Sequence, residues 1–383
     1  MRGTVLVSCL GVLAAAGLIG IGLLIPAGGN YSVAGGQAVV PYFQGLGDLP
    51  GGEYYSNAWD VSRDGTAVTG HSRVDTDHLA FRWTEATGMV LLPDFPGGIT
   101  MGDGDGITLD GSIVAGHGNS DLATEACIWT LINGQWVPQG LGDLPGGDFN
   151  SFAYHITPDG KVVVGDGSSD KGYDAEACRW SFNGTVWIPE ALGDLPGGDY
   201  WSQSTGCSDD GSVVVGRSRT KEGIRAFRWT AAKGMMNLGV LSKRKWSVAW
   251  GCSADGSVVV GQSWGPGTSK EEAFRWTAAT GMKGLGELPG GIFFSEADGV
   301  SADGSIVVGG SASASGNEAF IWDAANGMRR VADYLAGKGL VLPPGWVLRF
   351  ANSITVYNGM VTIVGNGTNP DGDTEAWIAA VAQ

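Results

Sequence analysis

The chain has 383 residues, 43% of them apolar, and a formal net charge of −16. That is enough apolar matter for a large core in one or two domains, while so acidic a surface repels phosphate backbones and excludes nucleic acid as a partner. Glycine reaches 66 residues without collagen's three-residue period and stands beside 15 Trp, which points to many short strands joined by tight turns and away from disorder.

The N-terminus comes first. Met1-Arg2 precedes an uncharged, mainly apolar run at 4–26, so residues 1–34 read as a signal peptide or signal anchor. Ala27 and Ala34 offer small residues for cleavage. Left uncleaved, the 23 residues of 4–26 are long enough to span a bilayer and tether the protein, with Arg2 held inside. In either case the rest lies outside the cytoplasm, in an extracellular or periplasmic location. Leu6-Val7-Ser8-Cys9 loosely resembles a lipoprotein cleavage box, but most of the apolar run follows it. Export permits disulfides. However, Cys127 and Cys178 hold the same position in neighbouring repeats, as do Cys207 and Cys252. Equivalent positions in adjacent units should lie beyond bridging distance, so these cysteines read as small buried hydrophobes.

From residue 45 onward the chain repeats itself. An Asp-Gly pair starts at Asp64, Asp110, Asp159, Asp210, Asp255 and Asp303, with Asn358-Gly359 in the last unit, at spacings of 45–55 residues by subtraction. Each pair reads as a two-residue hairpin turn. It leads into a Val-rich strand ending in Gly: 66–70, 112–116, 161–165, 212–216, 257–261, 305–309 and 360–365. A third strand follows at 79–83, 125–129, 176–180, 225–229, 272–276, 318–322 and 375–378. A Gly-Met or Asn-Gly turn then opens a fourth strand, and most units close on a Leu-Gly-Asp-Leu-Pro-Gly-Gly connector. The units lie near 47–92, 93–140, 141–191, 192–237, 238–284, 285–330 and 331–383.

A period of this length with four strand signals predicts an all-β fold, a seven-bladed β-propeller of four-stranded blades. A lone four-stranded sheet buries too little surface and leaves open edges, and packing the sheets around an axis solves both problems. The last unit stops after its third strand. The segment 38–46 resembles the fourth-strand stretches 135–141 and 185–192, so it should complete the last blade from the other end of the chain. An open solenoid would need no such split.

The unit resembles the HAF repeat of exported bacterial proteins, named for a His-Ala-Phe strand. Here that strand reads His78-Leu79-Ala80-Phe81-Arg82-Trp83, and elsewhere Glu272-Ala273-Phe274. The ending, with Asp333-Tyr334-Leu335 and then Gly345-Trp346-Val347-Leu348 ahead of Ile354, is similar to how such proteins finish. The likeness covers roughly 45–383 and departs from the pattern where Glu or Arg replaces His. It implies an extracellular repeat protein and adds little about activity.

Candidate sites come from the repeat columns that vary most, since packing holds the scaffold columns constant. In the first strand an apolar column (Val61, Ile107, Ile156, Cys207, Cys252, Val300, Ile354) and a small one (Ala58, Gly104, Ala153, Ser204, Ala249, Ala297, Ala351) read as core. Between them Trp59, Asp105, Tyr154, Thr205, Trp250, Asp298 and Asn352 mix aromatics with polar groups. If this strand is innermost, that column rings a central channel and suits a sugar or peptide. A second variable column holds His71, His117, Asp166, Arg217, Gln262, Gly310 and Asn366. His71, His117 and Asp166 would form a metal set only if adjacent blades converge there.

Other groups have simpler readings. Arg82, Arg179, Arg228 and Arg275 exchange with Ile128, Ile321 and Ile378 in one column, so they read as blade packing with snorkelled heads. Asp48, Asp143, Asp194 and Glu287 read as carboxylates holding backbone amides in Pro-Gly turns. The acidic loop 369–375 suggests calcium but lacks the full alternation of oxygen ligands; no other cofactor is expected. Lys243, Arg244, Lys245 and Trp246 replace a connector with a basic, aromatic stretch and form a candidate partner patch. No catalytic serine elbow, zinc helix or phosphate loop is present. The chain therefore reads as a monomeric, non-enzymatic binding scaffold for a polysaccharide, peptide or protein. The alternative is a carbohydrate-active hydrolase or lyase, marked by two carboxylates such as Asp105 and Asp298 facing one another across the channel mouth.

Overall fold

The computed structural model describes residues 40–383 apart from 76, 96–101, 172–174 and 267–270. The export signal expected at 1–34, Cys9 and the lipoprotein-like box lie outside the described residues.

The strands form seven four-stranded antiparallel sheets, a seven-bladed β-propeller. Blades 1 to 6 are meanders of consecutive strands. Their first strands are Ser56–Val61, Gly102–Ile107, Ser151–Ile156, Ser202–Cys207, Trp246–Cys252 and Gly290–Val300. Blade 7 begins with Val347–Tyr357, and its fourth strand is Tyr42–Gly45, paired with Thr374–Ala382 in the register Tyr42↔Ala380 to Gly45↔Trp377. The ring therefore closes as the sequence predicts. Phe43 fixes the joint by packing on Trp346 and Trp377, with ring centroids 5.1 and 6.4 Å away. The one helix among the described residues, Val331–Gly337, buries Val331 and Leu335 between blades 6 and 7.

Core residues collect into seven clusters, each a layer between sheets, anchored by buried Trp129, Trp180, Trp377, Phe81, Phe227, Phe274 and Phe320. Buried serines stitch neighbouring blades. Ser151 Oγ accepts from Ala126 N at 3.0 Å and donates to Gly142 O at 3.0 Å. Ser56, Ser202, Ser247 and Ser295 make the same two bonds to the blade before them. The arginine column works from the other side. Arg82, Arg179, Arg228 and Arg275 donate to the turn carbonyls of Gly111, Gly211, Gly256 and Gly304 in the next blade.

Two details differ from the sequence reading or go beyond it. Six of the Asp-Gly turns are not two-residue hairpins. In the first, Gly65 N bonds Ser62 O and Ser62 N bonds Ala67 O, so a type I turn is followed by a left-handed glycine, Gly65 at φ 77°. The Asp serves as a side-chain cap: Asp64 Oδ1 accepts from Thr66 N at 3.0 Å. Only Asn358-Gly359, with φ of 49° and 78°, is the tight two-residue form. Secondly, all seven first strands carry a β-bulge at the same place, opposite the Gly at which the sequence ends the second strand; the second strand in fact runs on past it, as Ala67–Val74 does past Gly70. A Cβ on Gly70, Gly116, Gly165, Gly216, Gly261, Gly309 or Gly365 would sit 1.8–2.0 Å from a first-strand carbonyl oxygen. The glycine column exists because the bulge drives backbone into that space.

Gly165→Ala tests this directly, since its Cβ would meet Phe152 O at 1.8 Å. Urea denaturation is expected to show a loss of about 3 kcal/mol or failure to fold; a near-neutral result would refute the steric account.

Candidate functional site

In a regular strand successive side chains face opposite sides, but a bulge turns two neighbours towards the same side. Each first strand therefore gives the axis two successive residues. One ring is Trp59, Asp105, Tyr154, Thr205, Trp250, Asp298 and Asn352, and all seven line a central cavity of about 350 Å³. The next ring is Asp60, Gly106, His155, Gly206, Gly251, Gly299 and Ser353. Glycine fills four of its positions because the axis is crowded there: a Cβ on Gly106 would lie 2.9 Å from His155 Cα. Sequence reading missed this second ring. Its signal was a column of glycines interrupted by Asp60, His155 and Ser353.

Those three residues, with an ion pair, form the channel floor. Arg63 of blade 1 pairs across the ring with Asp209 of blade 4, both at the Asp-Gly turns. Asp60 accepts from Ser353 Oγ at 2.7 Å, Ile107 N at 3.1 Å and Val61 N at 2.9 Å. Burial raises its pKa against the pull of His155, and burial lowers that of His155 against the pull of Asp60. His155 Nδ1 lies 3.4 Å from Cys207 Sγ. This end of the channel is lined by polar groups that satisfy one another.

The opposite end is different. On blades 1 to 3, His71 Nδ1 lies 3.0 Å from Asp103 Oδ1 and 3.1 Å from Trp59 Nε1. The Asp103 carboxylate also faces His117 Nε2 at 3.9 Å, and His117 Nδ1 faces Asp105 at 3.4 Å. Burial raises Asp105 to about 6 against the His117 hydrogen bond. For His117 burial pulls down, but Asp105, Asp103 and Asp166 outweigh it and the pKa rises. Asp166, 2% exposed, is pushed by burial to about 7, with Tyr154 and Arg217 opposing. Arg217 bonds Gln203 at 2.8 Å and lies over the Trp201 and Trp250 rings.

Blade 6 supplies carboxylates with less support. Burial and then Glu271 raise Glu296 to about 7, and burial and then Glu296 raise Asp298 well above the usual range. Asp298 Oδ2 and Trp250 Nε1 are buried with no hydrogen-bond partner among the described residues.

Not every residue singled out by sequence serves one site. Asn352 donates to Asn57 Oδ1 and Ala58 O, and Thr205 to Ala249 O, so both seal blade seams. Asp105 faces His117 at 3.4 Å, whereas the chief charged neighbour of Asp298 is Glu296, a like charge that raises it further. The expected donor set of His71, His117 and Asp166 is not the one that forms. Among the described residues the set that gathers is His71, His78 and Asp103.

Of the basic stretch, Arg244 is withdrawn into an ion pair with Glu272 at 3.2 Å, and Trp246 is half-buried against Trp264. Only Lys243 and Lys245 remain exposed, so the patch is smaller than the sequence suggests. In the connectors, Asp143 accepts from Leu144 N and Asn150 N at 2.7 and 2.8 Å. In the acidic loop Asn369 donates to Glu375 at 3.0 Å and accepts from Asp371 N and Asp373 N, while Glu375 also accepts from Gly47 N. These oxygens are committed to the turn and to the closing strand.

No family model and no curated protein matches the chain. Among solved structures, an oligogalacturonate lyase in complex with manganese is similar in fold, with a TM-score of 0.52 at 12% identity over 90% of this chain and 97% of that one. TolB from Acinetobacter baumannii gives a TM-score of 0.44 at 11% identity over 84% of this chain, which spans 65% of the length of that TolB. A putative TolB from Agrobacterium tumefaciens gives 0.41 at 15% identity, covering 91% and 93%. At such identities the likeness is one of fold.

The raised Glu296 gives a signed pH test. Its carboxyl holds a proton in the folded state from its ordinary 4.5 up to about 7, where the unfolded chain has lost it. Stability therefore falls as pH rises through that window. Glu296→Gln is expected to raise unfolding free energy at pH 8 by up to about 3 kcal/mol and to change little at pH 4. Equal effects at both pH values would contradict the assignment.

Proposed function

We propose that the protein is an exported, monomeric propeller of the HAF-repeat kind that acts as a binding scaffold outside the cytoplasm, holding a polysaccharide, peptide or protein ligand at the channel mouth. One observation carries this reading: a central cavity whose ring sets Trp59, Tyr154 and Trp250 beside carboxylates that burial holds above their ordinary pKa. Indole and phenol faces cover sugar rings or apolar side chains, and carboxyl groups with unused oxygens bond hydroxyls and amides. A cavity of about 350 Å³ is at the small end of ligand pockets, which run from about 300 to 1,000 Å³. It takes one or two residues of a polymer, with the remainder lying across the face. The hydrolase or lyase alternative is not favoured.

No helix among the described residues is long and apolar enough to cross a membrane. Tethering would rest on residues 4–26, outside them.

The exported protein applied to glycan and peptide arrays is expected to retain a defined subset of ligands. Trp250→Ala should weaken binding at least tenfold, an effect of roughly 1.4 kcal/mol or more, with an unchanged melting temperature. Binding to no glycan or peptide, or undiminished binding by the variant, would overturn the channel-mouth reading.

A further inference from the structure

Four histidines serve the whole chain, and three of them, His71, His78 and His117, meet at the seam between blades 1 and 2. We propose that His71, His78 and Asp103 bind a divalent first-row transition ion, with Zn²⁺ as its representative. The donors come from three strands, Ala67–Val74, Asp77–Thr84 and Gly102–Ile107. One donor atom of each lies within 4.8 Å of the other two. Zn–N and Zn–O bonds of about 2.0–2.1 Å set tetrahedral neighbours about 3.3 Å apart, so the set must contract. His78 supplies the slack. Its half-buried ring stacks on His71 with centroids 4.3 Å apart and planes 10° apart. Imidazole lone pairs lie in the ring plane, so a turn of His78 out of the stack aims both rings at one point.

The other two donors are held from behind. His71 is stacked on Tyr55, centroids 5.7 Å apart, and touched by Trp59 Nε1 at 3.1 Å. Asp103 Oδ2 lies 3.9 Å from His117 Nε2, and His117 Nδ1 lies 3.4 Å from Asp105, so imidazole and carboxylate alternate behind the ligand. Asp103 Oδ1 is buried without a hydrogen-bond partner among the described residues and lies 3.0 Å from His71 Nδ1, close to the spacing of two donors on one ion. Two imidazoles with one carboxylate suit zinc and its neighbours, where Ca²⁺ and Mg²⁺ require oxygen. Three protein ligands leave coordination positions open, as in sites that bind a further molecule.

The test uses the exported protein, stripped with EDTA, dialysed and titrated with Co²⁺, then Zn²⁺. Expected are visible Co²⁺ absorption saturating at a single ion per chain, its displacement by Zn²⁺, and affinity in the micromolar range or tighter. His78→Ala, at a half-buried position, should weaken binding at least about tenfold; Asp103→Asn should do the same. Asp371→Asn, in the acidic loop of blade 7, should bind as the parent does. Absence of a bound ion in the parent protein overturns the proposal whatever the variants do. So does binding that His78→Ala and Asp103→Asn leave intact. Neither result touches the ligand reading above, which is measured on arrays without added metal.

Discussion

A strand from one end of the chain hydrogen-bonded to a strand from the other is what the rest of this structure depends on. Tyr42–Gly45 beside Thr374–Ala382 turns seven sheets, each too small to stand alone, into a closed ring in which every sheet face has a neighbour. The serine and arginine links between blades repeat one geometry because closure gives neighbouring blades the same relation. At the seam of blades 7 and 1, Asn352, Ser353 and Thr355 reach across to Asn57, Asp60 and Arg63 in addition to the serine link made by Ser56.

The bulge then decides what the ring can do. Without it, alternation would send one of two neighbouring residues into the blade, and the axis would see a single layer of side chains. With it, two layers reach the channel: an outer one free to vary and an inner one squeezed to glycine except where Asp60, His155 and Ser353 build the floor. The cost falls on the adjoining strand, where a carbonyl pushed out of line permits only glycine at Gly70 and its six counterparts. Constant and variable columns are therefore two consequences of one backbone irregularity.

This explains what could be read in advance and what could not. The period, the strand count and the split last blade follow from residues that recur, so they were legible. The variable column from Trp59 to Asn352 was legible because its neighbours on either side are constant. Asp60 and His155 were not, since the period of two that assigns faces fails across a bulge. The Asp-Gly turns misled because the left-handed residue is the glycine alone, with Asp in a capping role. Arg63 and Asp209 lie 146 residues apart and nothing in either repeat marks the other. His78 was read as part of a family strand, and only the register Ser72↔Leu79, Arg73↔His78 brings its ring onto His71. Variation by column shows where chemistry is permitted; contact across strands and blades decides which residues share it.

Charge shows the same division. Arginine is spent largely on the seams, where four of them hold the turns of the next blade, so the arginines lining the channel are Arg63 and Arg217. Arg63 is committed to the floor and Arg217 lies beside Asp166. Imidazoles answer the carboxylates of blade 2, while Glu296 and Asp298 have as their chief neighbours each other and Glu271. In a chain of net charge −16 this leaves the mouth electrically uneven. A histidine-rich side, where carboxylates are compensated, faces a side on blade 6 where burial raises Glu296 and Asp298. The two halves offer different chemistry to whatever enters, the first as donor atoms for an ion and the second as carboxyl groups beside the aromatic face of Trp250. That contrast arises from single substitutions in columns the scaffold leaves free, which is how a repeat built for symmetry comes to have an asymmetric site.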